Sequence, residues 1–137
     1  MRGLLIGLIG LMGCSRPAIP PGADLAQAIA GRSAGPPQSC VSIESSSGLH
    51  AIDEANLGYG SGRTIYVNHL AGACPGLRAL STIIIEAHGS QYCRGDRFRS
   101  VELAQSIPGP ICILQDWVPY RRPWVPMKDG GRTRART

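Results

Sequence analysis

From Cys40 onward, glycine and proline cut this chain into short apolar runs, which restricts it to short strands joined by turns. Val41 and Ile43 alternate with Ser42 and Glu44, and Thr64-Ile65-Tyr66-Val67-Asn68 alternates again. Successive side chains on a strand point to opposite faces, so this spacing predicts strands with one buried side. Thr82-Ile83-Ile84-Ile85-Glu86 is continuous and β-branched, which predicts a strand covered on both faces. Asp96 to Leu103, with Phe98, Val101 and Leu103, fits strand and helix equally. Ile111-Cys112-Ile113-Leu114 is a last strand after the turn Pro108-Gly109-Pro110, and Gly58-Tyr59-Gly60-Ser61-Gly62 reads as another turn. The expectation is an all-β domain, a small barrel or sandwich of about five to six short strands.

At the N-terminus Arg2 precedes an apolar run from Leu4 to Met12, and Gly13 stands directly before Cys14. This is the order of a charged n-region, a short apolar h-region and a small-residue cleavage site. The run is too short to cross a hydrocarbon layer of ~30 Å, which needs about 20 apolar residues. Leu11-Met12-Gly13-Cys14 resembles the lipobox of bacterial lipoprotein signals. The resemblance implies a signal peptide over 1–13, cleavage before Cys14 and lipid on Cys14, which anchors the chain to the membrane. Ser15, standing where an Asp would retain the protein, resembles the sorting signal of outer-membrane lipoproteins. The expected location is the cell envelope, on the outer membrane and facing the periplasm. That location excludes nucleic acid as a partner.

Export carries the chain to an oxidising compartment, where disulfides persist. With Cys14 lipidated, Cys40, Cys74, Cys93 and Cys112 remain, an even set that reads as two disulfides with three ways to pair. The nested pairing, Cys40–Cys112 with Cys74–Cys93, is expected because it ties the ends of the domain together. Its longer loop would contribute about 4 kcal/mol and its shorter about 3 by loss of chain entropy. A metal reading needs close ligand pairs, and the chain has no C-x-x-C and no H-x-x-x-H. No cofactor or metal is expected.

Residues 14–38 contain Pro17, Pro20, Pro21, Pro36 and Pro37 and read as a spacer from the membrane. Within it Asp24 is placed to cap a short helix through Leu25, Ile29 and Ala30, stopped by Gly31. The disulfide-stapled domain is expected over 39–120. Residues 121–137 form a basic tail, with Arg121, Arg122, Lys128, Arg132, Arg134 and Arg136 against the single acid Asp129. The tail's net charge equals the +5 of the whole chain, so the rest is balanced. Such an end reads as solvated and disordered, with weak contact to anionic envelope surfaces as its functional alternative.

Five elements in order, namely Cys40, Tyr66-Val67-Asn68, Cys74-Pro75-Gly76-Leu77, Cys93-Arg94-Gly95-Asp96 and Cys112-Ile113-Leu114, lead to Trp117-Val118-Pro119 and Tyr120. Over Cys40 to Tyr120 the chain resembles a group of small exported proteobacterial domains of unknown function. The resemblance implies a disulfide-stapled envelope domain and brings no activity with it.

His50, His69 and His88, with Asp53, Asp96 and Asp116, are the candidates for acid–base or metal chemistry. Each also has a structural reading, since an Asp after a cysteine commonly caps a turn. No G-x-S-x-G elbow occurs, and Cys93 beside His88 would be a nucleophile pair only if it stayed reduced. Gly58–Gly62 lacks the helix and Lys-Ser/Thr pair of a phosphate loop. Arg94-Gly95-Asp96 spells a short adhesion motif whose order the adjacent cysteine explains better. Aromatics are few, and Trp117 and Tyr120 are expected to close the core near the last strand, or else to form a ligand or peptide platform. The function that fits is a non-catalytic binding or structural module held in the envelope by lipid. The alternatives are an inhibitor of a lytic or proteolytic enzyme and a small periplasmic hydrolase or metal-dependent enzyme. Convergence of a histidine with an aspartate in one pocket would favour the last.

Overall fold

The computed structural model describes residues 22–126. The expected signal, the expected lipid site Cys14, the first part of the spacer and the tail cations Lys128, Arg132, Arg134 and Arg136 lie outside these residues. Along the chain come α1 (Ala23–Ala28), β1 (Ser33–Ala34), β2 (Cys40–Ser42), β3 (Leu49–Asp53), β4 (Asn56–Tyr59), β5 (Thr64–His69), β6 (Thr82–Glu86), β7 (Gln91–Cys93), β8 (Arg97–Val101), β9 (Cys112–Ile113) and β10 (Trp117–Arg121). They form three antiparallel sheets, ordered β1-β10-β5-β4-β3, β2-β7 and β6-β8-β9. The all-β, disulfide-stapled expectation holds. There are more strands than foreseen: β1, β3, β4, β7 and β10 carry no clear apolar alternation in the sequence.

The sheets enclose one core, built from Val41, Leu57, Tyr59, Leu77, Phe98, Leu114 and Trp117. Trp117 closes it as expected. Its indole N–H donates to the Tyr92 carbonyl at 3.1 Å, and its ring meets Tyr59 edge-on with centroids 6.2 Å apart. The ambiguous segment after Asp96 is a strand, with Phe98 and Ser100 buried and Arg97 and Arg99 exposed. β6 corrects the sequence reading. Ile83 and Ile85 pack on the core, but Ile84 is 50% exposed, so only one face is covered.

The nested disulfide pairing is also overturned: Cys40 joins Cys93 and Cys74 joins Cys112. β2 and β7 lie side by side with Cys40 opposite Cys93, their Cα atoms 4.0 Å apart. Cys112 sits opposite Phe98 on β8 and reaches back to buried Cys74, with Cα atoms 6.1 Å apart. The bridges therefore overlap along the chain, since strand neighbours in space do not follow sequence order.

Two boundaries also move. The chain joins the sheet well before residue 39: β1 pairs with β10, and the Arg32 guanidinium donates to the Arg63 and Gly62 carbonyls at 2.8 and 2.9 Å. α1 starts after Gly22 with no side-chain cap, so Asp24 sits in its first turn and its charge faces the positive helix end instead. At the other end the ladder continues to Arg121, and the Arg122 amide donates to the Arg63 carbonyl at 3.0 Å. Both arginines thus belong to the fold's edge. Within β10, Pro119 lies opposite Tyr66, and its carbonyl accepts from the Gly35 amide at 2.7 Å. The donor it lacks falls on the side of the two-residue β1, where little of the ladder is lost.

Candidate functional site

Gly58 and Tyr59 belong to β4 and not to the turn, which is confined to Gly60–Gly62 with positive φ at both glycines. Gly58 lies under the His50 ring, where any Cβ would collide with the imidazole. A glycine in a strand for this reason reads from sequence as a turn.

Beside this turn lies a groove of about 450 Å³ lined by Gln38, Ser42, Glu44, Tyr59, Arg63 and Tyr66, with Ser47, Ser61 and Thr64 adding hydroxyls. Its floor is built from backbone geometry. The amide of Ile43 and the carbonyl of Ser39 face β7, so Cys40 and Ser42 present their carbonyls to the groove side. The Tyr59 hydroxyl donates to the Ser42 carbonyl at 3.0 Å and accepts from the Glu44 amide at 2.7 Å. The Gln38 side-chain amide donates to the Cys40 carbonyl at 2.8 Å. Both contacts blunt the free edge of β2, so an added strand finds its acceptors taken. The remaining hydroxyls, the Glu44 carboxylate, the Arg63 guanidinium and the half-buried Tyr66 ring stay available. This volume lies in the range of ~300–1,000 Å³ usual for small-molecule sites. The lining is more hydroxylic than usual, which selects a polar ligand.

None of the three histidines lines this groove, and each takes a partner of its own. His69, at the end of β5, lies in a hydrogen-bonded chain. Asn56 Nδ2 donates to both Asp53 carboxylate oxygens at 2.8 and 2.9 Å, which turns Asn56 Oδ1 toward His69 Nδ1 at 2.6 Å. His69 must then donate from Nδ1, leaving Nε2 to accept from the Tyr120 hydroxyl at 3.2 Å. Burial holds the His69 pKa below its ordinary value, opposed by the Asp53 charge. The neutral ring suits both bonds.

The sign of the resulting pH dependence follows. A histidine with a lowered folded pKa favours the fold while neutral, and that contribution is lost as pH falls below the unfolded value of about 6.5. Stability should therefore drop on acidification through this window, and His69→Gln should flatten the profile there. Denaturant midpoints at several pH values check it; parallel wild-type and variant profiles would refute the assignment.

His88 is exposed and places Nδ1 3.0 Å from Asp96 Oδ1. Asp96 is buried, and its other oxygen accepts from the Cys93 amide at 2.8 Å, the turn-capping role anticipated for an Asp after a cysteine. With that carboxylate buried, Arg94-Gly95-Asp96 presents no adhesion motif. Arg94 instead pairs with Asp116 at 3.3 Å. His50 lies near the Gly48 carbonyl at 3.4 Å and beside α1. Among the described residues no group of three or more His, Cys, Asp or Glu side chains is arranged to hold a metal ion. Tyr120 faces His69 rather than the core, and Trp117 is fully buried, so the two do not form a platform.

Asn68 was prominent in the sequence only through the Tyr66-Val67-Asn68 element. It is fully buried, donating to the Gln115 carbonyl at 2.7 Å and accepting from the Gln115 amide at 2.8 Å. It thus clasps β5 to the segment entering β10. Comparison of the chain with protein-family models, curated proteins and solved structures finds no match.

Proposed function

We propose that this chain is a lipid-anchored protein of the cell envelope, processed at Cys14, whose domain is a non-catalytic binding module. The groove beside the Gly60–Gly62 turn carries this reading, because its hydroxyls and opposed charges fit a small, hydroxyl-rich polar ligand such as an amino sugar. The resemblance of Leu11–Cys14 to a lipobox supports the anchor, and the two disulfides suit an oxidising compartment.

The anchor is tested by labelling cells with an alkyne fatty acid: wild type should label and Cys14→Ser should not. The groove is tested by titrating the protein with oligosaccharides of N-acetylated amino sugars while following backbone amide resonances. Shifts should cluster at Ser42, Ser61, Arg63 and Thr64, and Ser61→Trp, which fills an exposed position on the rim, should weaken binding about tenfold, or ~1.4 kcal/mol. Shifts confined to another face, or none at millimolar sugar, would reject the groove as the site.

A further inference from the structure

Two turns on one side of the domain hold leucines out in solvent. In the first, the Ser81 amide donates to the Arg78 carbonyl at 3.0 Å, the Arg78 amide donates to Ser81 Oγ at 3.2 Å, and Ser81 Oγ donates to the Gly76 carbonyl at 3.2 Å. This closed turn carries Leu80 at φ 75°, the only non-glycine residue with positive φ among the described residues, and leaves it 82% exposed. Left-handed backbone is costly for a branched apolar residue, and glycine or asparagine would fit it without strain. In the second turn the Gln105 amide donates to the Glu102 carbonyl at 3.0 Å and presents Leu103, 78% exposed; Ile107 in the same loop is 80% exposed. Arg78 and Glu102 join the turns by an ion pair at 3.8 Å.

We propose that Leu80 and Leu103 form a membrane-docking edge that seats in the bilayer carrying the Cys14 lipid. This rests on the lipid-anchor reading above. The tether's length and point of entry argue for lipid as the occupant. Only Ser15 to Gly22 separate Cys14 from α1, a stretch of chain that spans at most about 30 Å. α1 lies beside these turns: Asp24, Gln27 and Ala28 line a shallow hollow with His50, Ile52 and Ala79, and Ala79 also lines the hollow containing Leu80 and Leu103. The lipid therefore holds the domain close to the bilayer by the end on which the two leucines stand. Arg78 beside them is balanced by Glu102, so the edge meets the bilayer through its leucines rather than through net charge.

The test uses the lipidated, full-length mature protein in phosphatidylethanolamine–phosphatidylglycerol vesicles, with Trp124→Phe so that buried Trp117 is the only native indole remaining. Leu80→Trp is compared with Ile113→Trp, an exposed position on β9, the far edge of the sheet that β6 begins. An indole seated ~5–10 Å into the interface should lose about half its emission to acyl-brominated lipid, and the one at 113 should lose little. Adding Leu103→Asp should abolish the quenching at 80 while leaving acylation unchanged. Acylated protein whose indole at 80 is not quenched would overturn the docking edge alone. A chain that carries no acyl label would overturn the anchor and the docking edge together. An indole shielded from acrylamide in whole envelopes yet unquenched in vesicles would assign this face to a protein and likewise overturn the proposal.

Discussion

Replacing Cys74 and Cys112 together by alanine should lower stability by about 4 kcal/mol and leave the domain largely unfolded near 37 °C. The bridge closes a loop of sequence separation 38, and the chain-entropy estimate for that length is close to 4 kcal/mol. Cys74 is itself a core residue in contact with Leu77 and Phe98's cluster, so its loss also leaves a small void. Removing Cys40–Cys93, of separation 53, should cost a similar amount by the same estimate. Part of that loss is offset because β2 and β7 remain paired by backbone hydrogen bonds. Urea unfolding with and without reductant measures both effects. Non-reducing peptide mapping identifies the pairs, and recovery of a Cys40–Cys112 peptide would contradict the strand register itself.

The overlapping bridges show where a sequence reading stops. Alternation was enough to find β5 and a β-branched run to find β6, although burial alternates only along β6. β3 and β4 were not recognised as a hairpin. Asn56 and Gly58 interrupt the apolar pattern, one serving the Asp53–His69 chain and the other making room for the His50 ring. Pairing of the cysteines depends on which strands become neighbours, and β2 reaches past four intervening strands to lie beside β7. The groove was equally hidden. Its lining comes from the β2 segment, the loop at Glu44 and Ser47 and the turn between β4 and β5, none of which carries a motif. The apolar run before Cys14, by contrast, is a local pattern, and the proposal of an export signal rests on it without any fold.

Trp117→Ala should destabilise the domain by about 3–5 kcal/mol, the range for truncating a buried aromatic. The core holds few large side chains, and Trp117 is the largest of those fully buried. Its removal also takes the indole donor from the Tyr92 carbonyl, which keeps its ladder pairing with Val41, and withdraws the ring against which Tyr59 packs. Tyr59 is the link from core to groove, since its hydroxyl holds both the Ser42 carbonyl and the Glu44 amide. A milder change should therefore separate packing from site. Trp117→Phe should lose about 1–2 kcal/mol, retaining a ring but not the N–H donor. Tyr59→Phe should lose about 1 kcal/mol of stability yet loosen the groove floor, because two backbone groups lose their shared partner. Thermal unfolding ranks the three variants, and amide exchange at Ser42 and Glu44 reports on the floor. If Tyr59→Phe leaves exchange at Glu44 unchanged, the hydroxyl does not hold that edge. The groove would then be a surface hollow without a built floor, and its claim to bind a ligand would lose its structural basis.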